Sequence, residues 1–155
     1  MRKKFILLLF ITFFQSSQSL VAQLKTYRFE QIDSLQLVEK RAVIVFIHTD
    51  WCQFCQAMKA KTFKNEQVIN QLNQKFYFVD FNAEEQRTIW FNNTVYKFKP
   101  SGNNVGLHEL ALELGTINNQ INYPTLCILN YKNEIVFQHS GFLNSEKLMQ
   151  LLKNL

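Results

Sequence analysis

Cysteine is scarce in this chain. Three occur in 155 residues, too few to staple a small scaffold by disulfides. Long apolar runs are scarce as well. The run from Phe5 to Phe14, broken at Thr12, is about half of the ~20 residues a helix needs to span a bilayer. No cysteine lies near residues 15–22, so a lipid-modified N-terminus is not indicated. A second paired-cysteine motif, internal repeats and low-complexity tracts are all missing. Surplus basic charge is lacking too, once its source is traced. Of the 17 basic residues behind the net charge of +5, three are Arg2, Lys3 and Lys4; the other 14 face 12 acidic residues, leaving +2. No basic patch survives, which argues against a nucleic-acid partner.

What is present begins with an address. Met1-Arg2-Lys3-Lys4, the short apolar run and the polar stretch Gln15 to Ser19 lead to Leu20-Val21-Ala22. That order is a secretory signal pattern, with cleavage expected after Ala22 and a second candidate site after Ser19. An uncleaved anchor is the alternative that its short length disfavours. The division expected is residues 1–22 as signal and 23–155 as one exported, soluble, monomeric domain. Fifteen Phe residues with many Ile, Val and Leu supply enough apolar area for a core.

Along the chain, Phe29, Ile32 and Leu35 recur with helical period, predicting a helix that ends near Lys40. Ala42 to Ile47 is a continuous β-branched run, a strand buried on both faces. Gln53 to Thr62 lacks Gly and Pro, predicting a helix with Cys52 at its N-terminus. A further helix is expected over 66–74 and a strand over 76–81. Residues 88–98 predict a hairpin turning at Asn92-Asn93, which with Thr94 also forms a formal glycosylation sequon. Residues 100–104 read as loop. Leu107, Leu110, Ala111 and Leu114 form a helical stripe with Gly115 as C-cap. A strand over 126–129, a turn at Lys132-Asn133, a second arm from Ile135, a break at Gly141 and a last helix capped by Asn144 or Ser145 complete the chain. The order implies a mixed sheet covered on both faces.

The chemistry is carried by Cys52-Gln53-Phe54-Cys55. A strand that delivers Cys52 to the first turn of a helix surrounds its sulfur with unpaired N–H groups and the positive end of the macrodipole. A thiolate is stabilised there, so Cys52 is expected to be acidic and nucleophilic. Cys55, one turn on, can resolve a mixed disulfide formed at Cys52. Two other readings stay open. One is a peptide-docking module without redox chemistry, against which retention of both cysteines argues. The other is a metal site, but zinc normally takes four ligands, and Cys127, His48 and His139 would have to converge on the pair.

Asp50-Trp51-Cys52-Gln53-Phe54-Cys55, Tyr123-Pro124-Thr125 and Gly141 resemble the thioredoxin superfamily from about residue 29 onward, with an insertion near 86–118. The stretch from Thr49 through Phe63 is similar to the periplasmic domains of disulfide-interchange reductases. The resemblance implies a thioredoxin fold, an α/β architecture with a central mixed sheet flanked by helices, here with a hairpin and helix inserted before the proline. It implies a thiol–disulfide oxidoreductase, of the reductase type with a disulfide oxidase or isomerase as the alternative, periplasmic or extracellular. No cofactor and no metal are implied; the partners are protein thiol or disulfide clients and an electron donor or acceptor. It further implies that Pro124 is cis and faces the cysteines, and that the backbone of Tyr123 pairs with an extended client chain, a β-augmentation. Trp51, Phe54, Tyr123 and Phe142 are expected to form an apolar rim around that chain, with Gly141 also in the client-binding surface.

The sequence departs from the family in one pair of positions. Aligned by the cysteines, Phe46 stands where many thioredoxins carry a buried Asp, and Asp80 where they carry a Lys. Asp80 is therefore expected to accept the proton of Cys55, against the alternative of a solvent-facing acid at a strand end. His48 is expected to be a solvated strand-end residue with a lesser chance of tuning Cys52, while His108 and His139 are expected at the surface. Cys127, in an apolar strand, reads as a small buried hydrophobe.

Overall fold

The computed structural model describes residues 22–103 and 105–155. The expected signal segment therefore lies, except for Ala22, outside the described residues. In chain order, α1 (Phe29–Val38) precedes β1 (Ala42–His48), followed by α2 (Gln53–Ala60), a 3-10 turn (Thr62–Lys64), α3 (Glu66–Lys75) and β2 (Phe76–Asn82). Four short strands come next: β3 (Ile89–Phe91), β4 (Thr94–Tyr96), β5 (Phe98–Gly102) and β6 (Val105–His108). They lead into α4 (Glu109–Gly115), β7 (Thr116–Ile117), β8 (Gln120–Ile121), β9 (Thr125–Leu129), β10 (Ile135–Ser140) and α5 (Ser145–Lys153).

The main sheet runs β10-β9-β1-β2. β1 pairs in parallel with β2 and antiparallel with β9, and β10 returns antiparallel along β9. Every residue of β1 from Val43 on is buried, so the strand needs a layer over each face. On one face Val43, Val45, Ile47, Val79 and Cys127 meet α1, α4 and the β3–β4 hairpin through Phe29, Ile32, Ile89 and Leu110. On the other, Ile44, Phe46, Phe78, Leu126 and Ile128 meet α2, α3 and α5 through Met58, Leu72 and Leu148. Both cysteines of the pair belong to this second layer. The mixed α/β sheet covered on both faces is the architecture the sequence implies.

Asparagine shapes the turns. Asn92 and Asn93 both hold positive φ, 51° and 58°, the two-residue geometry a tight hairpin demands. Asn118 and Asn119, at 51° and 63°, do the same between β7 and β8, a small hairpin the sequence reading passed over. Residues 100–102 are a correction: they are not loop but part of β5, with Pro100 opposite Gly106. A two-stranded sheet consists of edges, and there Pro costs no ladder bond. A Cβ on Gly106 would run into the Phe98 ring and the Lys99 carbonyl, which explains the glycine. Leu107 lies on β6, one residue short of the α4 cap. Gly115 is a second correction, since it closes α4 without a left-handed φ and Thr116 follows as the cap. Its value is closeness: a Cβ there would come within 3.2 Å of Ile47.

Candidate active site

β1 ends at His48, and the turn Thr49-Asp50-Trp51 delivers Cys52 as the N-cap of α2. Cys52 Sγ accepts the backbone N–H of Cys55 at 3.1 Å. Sulfur thus occupies the position where a helix start has N–H groups to spare. Cys52 and Cys55 are joined as a disulfide, with Cα atoms 5.2 Å apart. Their exposure differs: Cys52 retains 6 % while Cys55 has none. An incoming sulfur can reach the first and not the second.

Around the pair the surface is apolar and aromatic. Trp51 is 67 % exposed, Phe54 64 % and Phe142 41 %. Phe54 lies 6.3 Å from Phe142, centroid to centroid, and Trp51 meets Tyr123 edge-on at 5.9 Å. Trp51 therefore lies at the surface, as the rim expected from the sequence requires. Its indole N–H donates to Glu84 Oε1 at 3.0 Å, a partner the sequence reading did not assign. The Tyr123–Pro124 bond is cis, and Pro124 is buried. Gly141 holds φ +112° and donates its N–H to the Pro124 carbonyl at 2.8 Å. It fixes the proline loop with a conformation that suits glycine. Burial, and secondarily the charge of Glu84, push the Tyr123 phenol up to about 12.

Asp80 stands opposite Phe46 in the β1–β2 register, on the sheet face that carries the cysteines. Its Oδ1 lies 2.9 Å from His48 Nε2 and its Oδ2 3.0 Å from Lys59 Nζ. His48 is a correction: it is 4 % exposed, stacked on Phe46 at 5.5 Å, because the carboxylate across the strand pair gives its ring a partner under α2. Lys59 Nζ also comes within 2.9 Å of His48 Nε2. One nitrogen cannot both donate to Asp80 and accept from Lys59. A proton on Nε2 serves the carboxylate, while Nδ1 has no partner among the described residues. Burial works against the charged carboxylate of Asp80. The hydrogen bond and charge of His48, with those of Lys59, outweigh it and hold the carboxyl below its usual range. Lys59, one turn beyond Cys55 on α2, was the missed signal of this cluster.

His108 is a further correction. It is buried at 0 %, with Nδ1 accepting the Leu110 N–H at 3.2 Å and Nε2 facing the Arg87 carbonyl at 3.1 Å. A histidine that caps a helix inside the insertion had both ring nitrogens satisfied without solvent. His139 is half-buried. Cys127 is fully buried and free, in the layer across the sheet from the pair. Among the described residues no group of three or more His, Cys, Asp or Glu gathers as a metal site, and no helix is long and apolar enough to cross a membrane. A cleft of about 280 Å³ opens elsewhere, between Leu24, Phe63 and the Lys59–Asp80 pair. The cysteines are ringed by an open aromatic surface instead.

Fold and site together define a class: a mixed-sheet domain whose helix-capping cysteine couple opens to a dithiol and closes to a disulfide. The family model for the thioredoxin-like domain matches residues 29–155, and the chain belongs to that family. Among solved structures it is similar to the DsbH oxidoreductase, at 12 % identity and TM-score 0.59 over 90 % of each chain. A thioredoxin from Thermus thermophilus shares 20 % identity and a TM-score of 0.60 over 85 % of this chain and 86 % of its own. The reduced C-terminal domain of DsbD from Neisseria meningitidis gives 14 % and 0.53 over 81 % of this chain and 90 % of its own. These likenesses concern the fold. No curated protein matches the sequence.

Proposed function

We propose that the protein is an exported thiol–disulfide oxidoreductase that reduces protein disulfides. The observation that carries the thiol–disulfide exchange is the place of Cys52 Sγ, at the head of α2 and hydrogen-bonded to the Cys55 N–H at 3.1 Å; the reducing direction follows the resemblance to disulfide-interchange reductases. Once the pair is reduced, the same N–H and the helix dipole favour the thiolate over the thiol. The thiolate attacks one sulfur of a client disulfide, forms a mixed disulfide and expels the other client sulfur as a thiolate. Cys55 then gives up its proton and attacks Cys52 Sγ. The Cys52–Cys55 bond forms, the second client thiolate leaves, and two electrons have passed to the client. Asp80 is the group we assign to receive the Cys55 proton. An upstream dithiol donor must restore the pair.

The client lies as an extended strand against Tyr123, taking main-chain hydrogen bonds beside the cis Pro124 and Gly141. Trp51, Phe54 and Phe142 supply apolar contact that does not depend on one client sequence. Export rests on the basic start, short apolar run and Ala22 boundary. The DsbH oxidoreductase, which shares the fold, is a protein of the class proposed.

Insulin reduction by dithiothreitol tests it. Wild type accelerates precipitation of the freed chains, and Cys52→Ser does not; equal acceleration by both contradicts the redox reading. Equilibration with glutathione buffers tests direction: a reductase sits near about −270 mV, whereas a value near about −120 mV marks an oxidant.

A further inference from the structure

We propose that Glu84 and the open face of Trp51 form a cation subsite beside the cysteine pair, selecting clients with Arg or Lys next to the disulfide cysteine. The inference rests on the oxidoreductase reading above and narrows its substrate class.

Glu84 is held in place rather than left to wander. As the chain leaves β2, the Ala83 N–H donates to the His48 carbonyl at 2.7 Å and the Ala83 carbonyl accepts the His108 N–H at 2.8 Å. The Glu84 N–H donates to Asn82 Oδ1 at 3.0 Å. The inserted β6–α4 junction therefore clamps the very loop that carries this carboxylate. One oxygen, Oε1, takes the Trp51 indole N–H at 3.0 Å. The other takes no hydrogen bond or ion pair among the described residues.

An indole N–H lies in the plane of its ring, so this bond occupies the ring edge and leaves π surface free. Trp51 remains 67 % exposed, with Tyr123 meeting it at 82°. A free carboxylate oxygen beside an open tryptophan face is the pair of features that holds an ammonium or guanidinium. Among the described residues no Lys or Arg pairs with Glu84 or stacks on Trp51. Arg87, three residues on, is taken by Glu30 at 2.8 Å and Glu85 at 3.7 Å. Lys59 is taken by Asp80 at 3.0 Å. Asp50, exposed and next to Trp51 in the chain, is a second acidic residue of this turn. Glu84 also acts electrostatically on Tyr123, the residue against which the client strand is laid. A client residue one or two positions from the attacked cysteine falls within reach of this corner.

The test uses disulfide-bonded peptides identical except for Arg, norleucine or Glu beside the cysteine. Wild type is expected to reduce the Arg peptide with kcat/KM roughly fivefold above the Glu peptide at low salt, the size of one rim charge pair. The gap should shrink near 1 M salt, where screening falls to about 3 Å. E84Q keeps an acceptor for Trp51 but loses the charge, and its Arg-to-Glu ratio is expected to fall towards one; E84K is expected to invert it. Because the ratio is taken within each protein, a common change in thiol reactivity cancels. Equal rates on the Arg and Glu peptides in wild type, or a preference that persists in E84Q, overturn the subsite while peptide reduction itself still upholds the oxidoreductase reading. Reduction of no peptide overturns that reading, and the subsite with it.

Discussion

Cys52 and Cys127 share a side chain and little else. The first caps a helix with 6 % of its surface open; the second lies in the opposite layer, where burial pushes its thiol up to about 12. A thiol that stays protonated across the ordinary pH range is inert, so the odd cysteine of the chain is packing. That contrast was legible in the sequence, because an apolar strand and a helix start treat sulfur differently. Asp80 was legible only in part. Its strand was plain, but its ties to His48 and Lys59 cross three elements and leave no local pattern. With its carboxyl held below the usual range, Asp80 is a weaker base than a poised one. Asp80→Asn is accordingly expected to slow resolution of a Cys52 mixed disulfide by roughly tenfold, less than the usual 10²–10⁴ of general-base catalysis. Rapid-quench measurement of that step decides it, and equal rates remove Asp80 from the mechanism.

At the scale of elements, β1, α2, α3 and β2 followed from apolar runs and helix formers, the β3–β4 hairpin from the Asn92-Asn93 turn and α4 from its apolar stripe. The rest of the insertion did not. β5 hides a proline in an edge strand, β7 and β8 have two residues each, and none reaches the length at which a period shows. His108 escaped for a different reason, since a buried cap is defined by groups far along the chain, the Arg87 carbonyl among them. Burial is the main force lowering its pKa, with the Arg87 carbonyl bond opposing. The folded state therefore prefers the neutral ring more than the unfolded state does. The stability this confers is complete above the unfolded value of about 6.5 and is lost as pH falls through the lower folded value. Urea midpoints from pH 8 to 5 should show wild type weakening below about 6.5, by no more than about 1.4 kcal/mol per pH unit. His108→Asn, which keeps an acceptor for the Leu110 N–H, should weaken less; parallel curves contradict this account of the cap.

Taken as a whole molecule, the sheet is a device for holding two separate loops in one place. β1 brings Cys52, β9 begins just after the cis Pro124, and the β1–β9 register sets Ile47 against Thr125. The close of β10 adds Gly141, whose N–H locks onto the Pro124 carbonyl at 2.8 Å. The sequence displayed these three motifs in order, but their convergence is a property of strand order, which only the fold supplies. The layer under α2 then adds His48, Asp80 and Lys59, and the insertion clamps the Glu84 loop against Trp51. The most direct measurement is the rate of iodoacetamide alkylation of the reduced protein as a function of pH, read at Cys52 by mass spectrometry. The account predicts a midpoint well below the about 8.5 of a free cysteine, and faster reaction at neutral pH than an unstructured peptide thiol. A midpoint at or above that value, with peptide-like rates, would contradict it.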